Sequence, residues 1–388
     1  MTKTYDARLA EWATPREKEY LTAVTVAGNA LQAATMLGVH HSTVHRALNG
    51  LEARAAKMGF APDHDMTKVC PPGFRTRGTS TLYNKDGQIS QQWVKTEVDK
   101  AQDAAALEQF AESLAQSVFG LAPLTTPPKN LEGDLLCVYP MGDPHFGALA
   151  WWEEVGADFD LKIAEQLTCA AIDRLVAAAP DASTALLLNL GDMFHADNQS
   201  NMSKSGHQLD VDGRWAKIQQ VGLRAMLYCI RRLLEKHGKV IFRINRGNHD
   251  GHSSYALAMM VAAHFHNEPR VMVDLDPSVA WYYKFGKTLI GSTHGDTIKG
   301  KDMLSIMAAD QPKAWGDTVH RYWYVGHVHH QDSKEYHGGV VEYFRTLAAR
   351  DAWHAGQGYR AGRDMRLIVI HREHGEIERH RCDVGMIS

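Results

Sequence analysis

Three short apolar runs, LLCVYPM, TALLLNL and KVIFRIN, lie between Leu135 and Asn245, each with a glycine close behind it. Runs of that length bounded by glycine predict buried strands. The spacers Asp158–Ala179 and Arg214–His237 repeat apolar residues at helical spacing and predict crossing helices, with a third at Ser253–His266. After Arg270 the pattern turns mostly to strands, in RVMVDLD, AWYYKFGKTLIGSTHGD, RYWYVGHVHH, GGVVEYFRT and DMRLIVIHRE. Two packed sheets flanked by helices, an α/β arrangement, accommodate this order.

Upstream the pattern differs. Thr14–Glu19 (TPREKE) predicts a helix start, with a Thr cap, proline in the first turn and acidic residues behind it. Apolar Ala33, Leu37, Val39, Val44 and Leu48 predict two short helices packed across a tight turn at Gly38. TSTLYNKDGQISQQWVK predicts a hairpin turning at Lys85-Asp86-Gly87. Asp99–Leu121 carries Ala106, Phe110, Leu114 and Val118 along one helical face and predicts a packing helix. The proline-rich LAPLTTPPKNLEGD predicts a stiff linker and a domain boundary. The expected organisation is a helical domain over residues 1–60, a hairpin-and-helix region over 61–121, a linker over 122–134 and a larger domain over 135–388.

Composition changes this picture little. The chain has 388 residues, 44% hydrophobic and 22% charged, with a net charge of −3, so no global basic field advertises nucleic acid. Cys70, Cys137, Cys169, Cys229 and Cys382 are scattered and lack C-x-x-C pairing, which suits reduced thiols. The start, MTKTYDARLAEW, lacks a signal-peptide pattern and no apolar run is long enough to span a bilayer, so a cytoplasmic protein with no membrane partner is expected. The 22 histidines are the unusual count.

Seven of those 22 histidines, the rest being expected as ordinary surface or core residues, fall in five polar clusters, three of which directly follow the apolar runs. In order these read GDPHFG (Asp143, His145), GDMFHADN (Asp192, His195), RGNHD (Asn248, His249, Asp250), THGD (His294) and GHVHH (His327, His329). Loops at strand ends let an α/β fold gather such distant residues. A set of Asp, Asn and neutral imidazoles suits Mn²⁺, Fe²⁺ or Zn²⁺.

The ordered series D-x-H, GD, GNHD, H, GHxH resembles the calcineurin-like metallophosphoesterases, over Leu135 to Val369. The resemblance implies a four-layer α/β/β/α metallophosphoesterase sandwich and two divalent metals, manganese first and iron or zinc as alternatives. It implies Asp143, His145, Asp192 and His329 around one ion, and Asp192, Asn248, His294 and His327 around the other. Two cations about 3.5–4 Å apart can activate a hydroxide and stabilise both oxygens of an in-line phosphoryl displacement. His249 is then the expected general acid, with Asp250 orienting its ring. Asp296 is either a supporting residue or a solvated loop aspartate.

GDMFHADN is similar to the GDLFH pattern of SbcD-like DNA repair nucleases, which makes His195 the candidate for holding the scissile phosphate. The segment around Gly38 resembles a phage-type helix-turn-helix, whose recognition helix would start near His41 and expose Ser42, His45 and Arg46 to DNA. A plain packing hairpin is the other reading, and His40 stands where Ser or Thr often caps such a helix. Basic Lys68, Arg75, Arg77, Lys85 and Lys95, alternating with Phe74, Tyr83 and Trp93, suit either a phosphate-gripping surface or a small structural unit. Arg350, Trp353, His354, Tyr359 and Arg360 lie in one glycine-rich tract that either borders the cleft or merely connects strands. A two-metal phosphodiesterase acting on DNA is therefore expected. The alternative is a phosphoesterase of small nucleotides or other phosphoesters with a regulatory amino-terminal part. DNA is the expected partner, and a homodimer is left open.

Overall fold

The structure is a computed structural model and describes residues 5–66, 70, 74–98, 120–202, 209–350, 355–356, 358 and 360–387. The expected helix at Asp99–Leu121 lies almost wholly outside the described residues, as do Lys68, Trp353, His354 and Tyr359. The chain divides into two compact units, Met1–Ala106 and Leu107–Ser388.

The first unit is built on α1 (Pro15–Ala27), α2 (Ala30–Leu37) and α3 (His41–Lys57). Thr14 and Glu17 cap α1 reciprocally, each side chain taking the other's backbone N–H. Gly38 closes α2 in the left-handed region at φ 65°. His40 caps α3, its Nδ1 accepting the Ser42 N–H at 3.3 Å, so an imidazole does the work usually left to a hydroxyl. Ala33, Val44 and Leu48 are buried between the helices, and Leu37 and Val39 pack against them half-buried. A two-stranded antiparallel ribbon follows, β1 (Phe74–Tyr83) and β2 (Ile89–Val98). Its turn is held by Asn84, whose Oδ1 accepts the N–H groups of Asp86 and Gln88.

In the second unit, β3 (Glu132–Met141), β4 (Ala182–Asn189), β5 (Lys239–Ile244) and β6 (Val271–Val273) run parallel. The crossings are α4 (Leu161–Ala178), α5 (Trp215–Lys236) and α6 (Ser253–His264). Antiparallel β12 (Asp364–His371) and β13 (Gly375–Asp383) complete a six-stranded sheet ordered β13-β12-β3-β4-β5-β6. A five-stranded sheet, β10-β11-β9-β8-β7, is formed by β7 (Trp281–Phe285), β8 (Thr288–Thr293), β9 (His320–Val325), β10 (Asp332–Tyr336) and β11 (Gly339–Tyr343).

Alternation along the strands sets the layers. Leu136, Val138, Leu186, Leu188 and Ile241 face Trp281, Phe285, Ile290, Tyr324 and Phe344 of the other sheet. Their neighbours Cys137, Tyr139, Ala185, Leu187 and Phe242 point the opposite way, into helices α4 to α6. The outer face of the second sheet is covered by Met303, Leu304 and Met307 of α7 (Gly300–Asp310), which α8 (Pro312–Asp317) follows. These are the four layers, α/β/β/α. The two helices interrupt what the sequence pattern after Arg270 led one to expect as mostly strand. The proline-rich stretch is fastened at its start: Gly120 and Ala122 donate to Ala263 and His264 carbonyls, and Ala122 is buried. No helix among the described residues is long and apolar enough to cross a membrane.

Candidate metal centre

Five loops converge at the carboxyl ends of β3, β4, β5, β8 and β9, all strands with a parallel neighbour. Asp143, His145, Asp192, His327 and His329 adopt left-handed backbone conformations, with φ between 44° and 69°. Non-glycine residues rarely do so, and such strain persists where the surroundings over-determine it. Here the loops fix each other. His145 and Phe146 donate N–H groups to Asp192 and Met193 carbonyls, at 3.0 and 2.8 Å. The His327 N–H reaches both Asp143 carboxylate oxygens, at 2.9 and 3.0 Å, and the His249 N–H reaches Asp192 Oδ1 at 2.8 Å. Gly247 must be glycine, because a Cβ there would fall 1.9 Å from Asp192 Oδ1.

These constraints aim side chains at common points. Asp143, His145 and His329 form one group whose ligand atoms lie within 4.8 Å of one another, and Asp192, His294 and His327 form a second. In the second group the tautomer can be assigned: His294 Nδ1 donates to the Leu190 carbonyl at 3.0 Å. Its Nε2 then faces Asn248 Oδ1 at 2.9 Å, Asp192 Oδ2 at 3.1 Å and His327 Nδ1 at 3.2 Å. One N–H cannot serve three acceptors, whereas one cation can take all four lone pairs. In the first group His145 Nε2 and His329 Nε2 meet at 3.0 Å, with Asp143 Oδ1 3.7 Å from the latter. The residues present therefore fit divalent metal.

The electrostatics agree. Burial, reinforced by the Asp192 charge and opposed by His294, pushes the Asp143 carboxyl up to about 7. Burial also pushes Asp192 up, but His294 and then His145 and His249 bring it below the usual carboxylate range. Burial, helped by neighbouring imidazoles, keeps His145 and His327 neutral, as ligands must be. Burial pulls His294 down, but the Asp192 carboxylate and then Asp143 push it up to about 10, so the two buried carboxylates draw positive charge to this point.

A third group comprises His145, His195 and His249. His249 is half-buried and its Nδ1 donates to the His195 carbonyl at 2.9 Å, which leaves Nε2 as the working nitrogen. That carbonyl, and not Asp250, fixes the ring, so the expected role of Asp250 is corrected. The fully buried Asp250 carboxylate instead accepts the Gly247 N–H at 2.9 Å and the Phe194 N–H at 3.2 Å, tying two loops together. His195 is only 3% exposed, its Nδ1 3.2 Å from His145 Nδ1 and its ring stacked on His249 at 5.3 Å. So deep a side chain suits contact with those rings better than the direct phosphate contact expected of it. Asp296 is exposed, a solvated loop aspartate.

Several supports carried no sequence signal of their own. Thr346 Oγ1 donates to the Asp143 carbonyl at 2.6 Å from the strand-like tract GGVVEYFRT. Asp197 caps α6 behind His249, accepting from Ser253 N at 2.8 Å and Oγ at 2.7 Å. It lay in plain view in GDMFHADN, but nothing there says which helix it meets.

In the first unit the α3 residues singled out for DNA separate. Arg46 is exposed. Ser42 and His45 are half-buried, Ser42 Oγ lying 2.8 Å from His40 Nδ1 and His45 Nδ1 3.2 Å from the Tyr5 hydroxyl. The expectation that all three project outward is thus corrected: capping and the Tyr5 contact occupy two of them. On the ribbon, Arg75, Arg77, Lys85, Lys95, Tyr83 and Trp93 are all exposed.

No protein-family model matches the chain, and no curated protein does. Among solved structures it is similar to a predicted phosphoesterase from Streptococcus pneumoniae, at 10% identity over 64% of this chain and 98% of that one, with a TM-score of 0.28. A Vps29 from Entamoeba histolytica complexed with zinc matches at 14% identity, over 64% and 99% of the two chains, with a TM-score of 0.26. A 5′-nucleotidase from Candida albicans matches at 11% identity, over 67% and 54%, with a TM-score of 0.32.

Proposed function

We propose that this chain is a two-metal phosphodiesterase whose substrate is DNA. The observation that carries it is the pair of lone-pair clusters, Asp143/His145/His329 and Asp192/His294/His327, set beside a histidine with one free ring nitrogen. Asp143, His145 and His329 would hold one ion, and Asn248, His294 and His327 the other, with Asp192 shared. Manganese is the first choice, iron or zinc the alternatives. Two such cations, when bound, supply Lewis-acid charge to the phosphoryl oxygens and activate water.

The chain's own residues do the rest. His249 protonates the leaving oxygen from Nε2, its ring held in place by the His195 carbonyl on Nδ1. His195 positions the rings of His145 and His249. Asp250 holds the loops that carry His249 and His195 in register. Recruitment to DNA is assigned to the first unit, where α2 and α3 meet across the Gly38 turn as a helix-turn-helix and Arg46 with the exposed ribbon cations meets phosphate. Hydrolysis of small nucleotides, with a regulatory first unit, is the competing reading.

The test offers the purified full chain, with Mn²⁺ or with EDTA, linear, circular and single-stranded DNA beside nitrophenyl phosphodiesters and nucleotide monophosphates. Mn²⁺-dependent degradation of DNA is expected. Turnover of nucleotide monophosphates alone would transfer the assignment to the competing reading, and activity undiminished by EDTA would refute both.

A further inference from the structure

Leaving the loop after β3, the chain passes from His145 through Ala148 to a pair of adjacent tryptophans six and seven residues further on. Trp151 is 63% and Trp152 59% exposed. Among the described residues neither ring stacks on another side chain or meets a cation. Each forfeits the burial that makes tryptophan valuable in a core.

Their exposure is not the result of slack backbone. Ala148 N donates to the His145 carbonyl at 2.9 Å, and Leu149 N to the Asp210 carbonyl at 3.1 Å. Ala150 and Phe159 exchange backbone hydrogen bonds at 2.8 and 3.0 Å. Trp152 N donates to Asp158 Oδ1 at 2.8 Å, and its carbonyl accepts from Gly156 N at 2.7 Å. Val155 is buried beneath, and its carbonyl accepts the Arg350 Nε–H at 2.8 Å. The turn is pinned on both sides and holds two rigid indoles in water. At six residues from His145, and at most about 3.5 Å of chain per residue, Trp151 lies within about 20 Å of it.

The geometry points to Trp151 and Trp152 as a platform on which nucleobases stack while the adjoining phosphodiester lies at the metal centre. This rests on the phosphodiesterase reading and adds the part of the substrate that is recognised. The neighbouring charges choose the occupant. Exposed Glu153 and Glu154 flank the rings and repel both a phosphate backbone lying across them and an anionic lipid surface. A base presents an uncharged π face and every base has one, so a single strand or a frayed duplex end fits. Phosphates then face the cations, and bases face the tryptophans. The platform favours oligonucleotides over compact phosphoesters.

The experiment uses the full chain with Mn²⁺, the double variant Trp151→Ala/Trp152→Ala and the conservative Trp151→Phe/Trp152→Phe. Substrates are a single-stranded oligonucleotide, an abasic strand of equal length and a nitrophenyl phosphodiester. Oligonucleotide over aryl-ester kcat/KM should fall roughly ten- to a hundredfold in the alanine variant, mostly through KM, and largely recover in the phenylalanine variant. Abasic over aryl-ester kcat/KM should stay within twofold. Unchanged ratios in a variant of normal melting temperature overturn the platform, even when the wild type cleaves DNA. A wild type that cleaves only the aryl ester removes the nuclease assignment, and tryptophan quenching then decides. Stronger quenching and tighter binding by the base-bearing than by the abasic strand, lost in the alanine variant, sustain the platform; equal binding of the two overturns it.

Discussion

His249 is tied to the centre through its backbone, whose N–H reaches Asp192, and to His195 through its ring. Replacing the ring while keeping the N–H separates these two functions. His249→Ala should keep near-normal metal content, measured by elemental analysis. It should lose on the order of 10²–10⁴ in turnover on a poor leaving group. A nitrophenyl leaving group needs little protonation and should be spared much of that loss; equal losses on both esters would remove the acid role. At this scale the candidate ligands were legible, because each sits in a short glycine-flanked motif that names itself. The supports were not. Asp250 adjoins His249 in sequence yet bonds Gly247 and Phe194, and Thr346 reaches Asp143 across more than two hundred residues. Such partnerships are made by loops meeting in space and leave no trace in spacing.

Among the elements, His237 closes α5 and is buried. Its Nδ1 donates to the Ala182 carbonyl at 3.3 Å, and its Nε2 accepts the Tyr139 hydroxyl at 2.8 Å, linking the helix end to β3 and the start of β4. Burial lowers its pKa from 6.5 to about 4. A base depressed in the folded state binds its proton more readily when unfolded, so the chain loses stability as pH falls from 6.5 towards 4 and gains none above 6.5. The shift is equivalent to roughly 3 kcal/mol. His237→Gln should flatten the acid side of the stability profile in urea titrations at pH 4 to 7; an identical slope would show that the imidazole is not the titrating group. Central strands were readable as apolar runs, since they are buried on both faces. The edge strands β10 (DSKEY) and β13 (GEIERHRCD) were not, because exposed charged side chains protect a sheet edge and erase the apolar signal.

Over the whole molecule the net charge is −3, so any attraction to DNA must come from local cations and not from a general field. Arg46→Ala in the full chain should weaken duplex binding at low salt and reduce the slope of log K against log salt by about 0.9. Aryl-ester turnover should not move. An unchanged slope would take α3 off the DNA. The clamp made by Asp250 has a consequence for moving this centre elsewhere. Its carboxylate accepts from the loops after β4 and after β5, while Asp192 from the first of these fills the space that Gly247 in the second leaves open. The two loops are therefore a single transplantable part: grafting either alone onto another scaffold deprives a buried aspartate of one donor, the Phe194 N–H for Asp250 or the His249 N–H for Asp192, and recombination between β4 and β5 breaks what no substitution at one loop can mend.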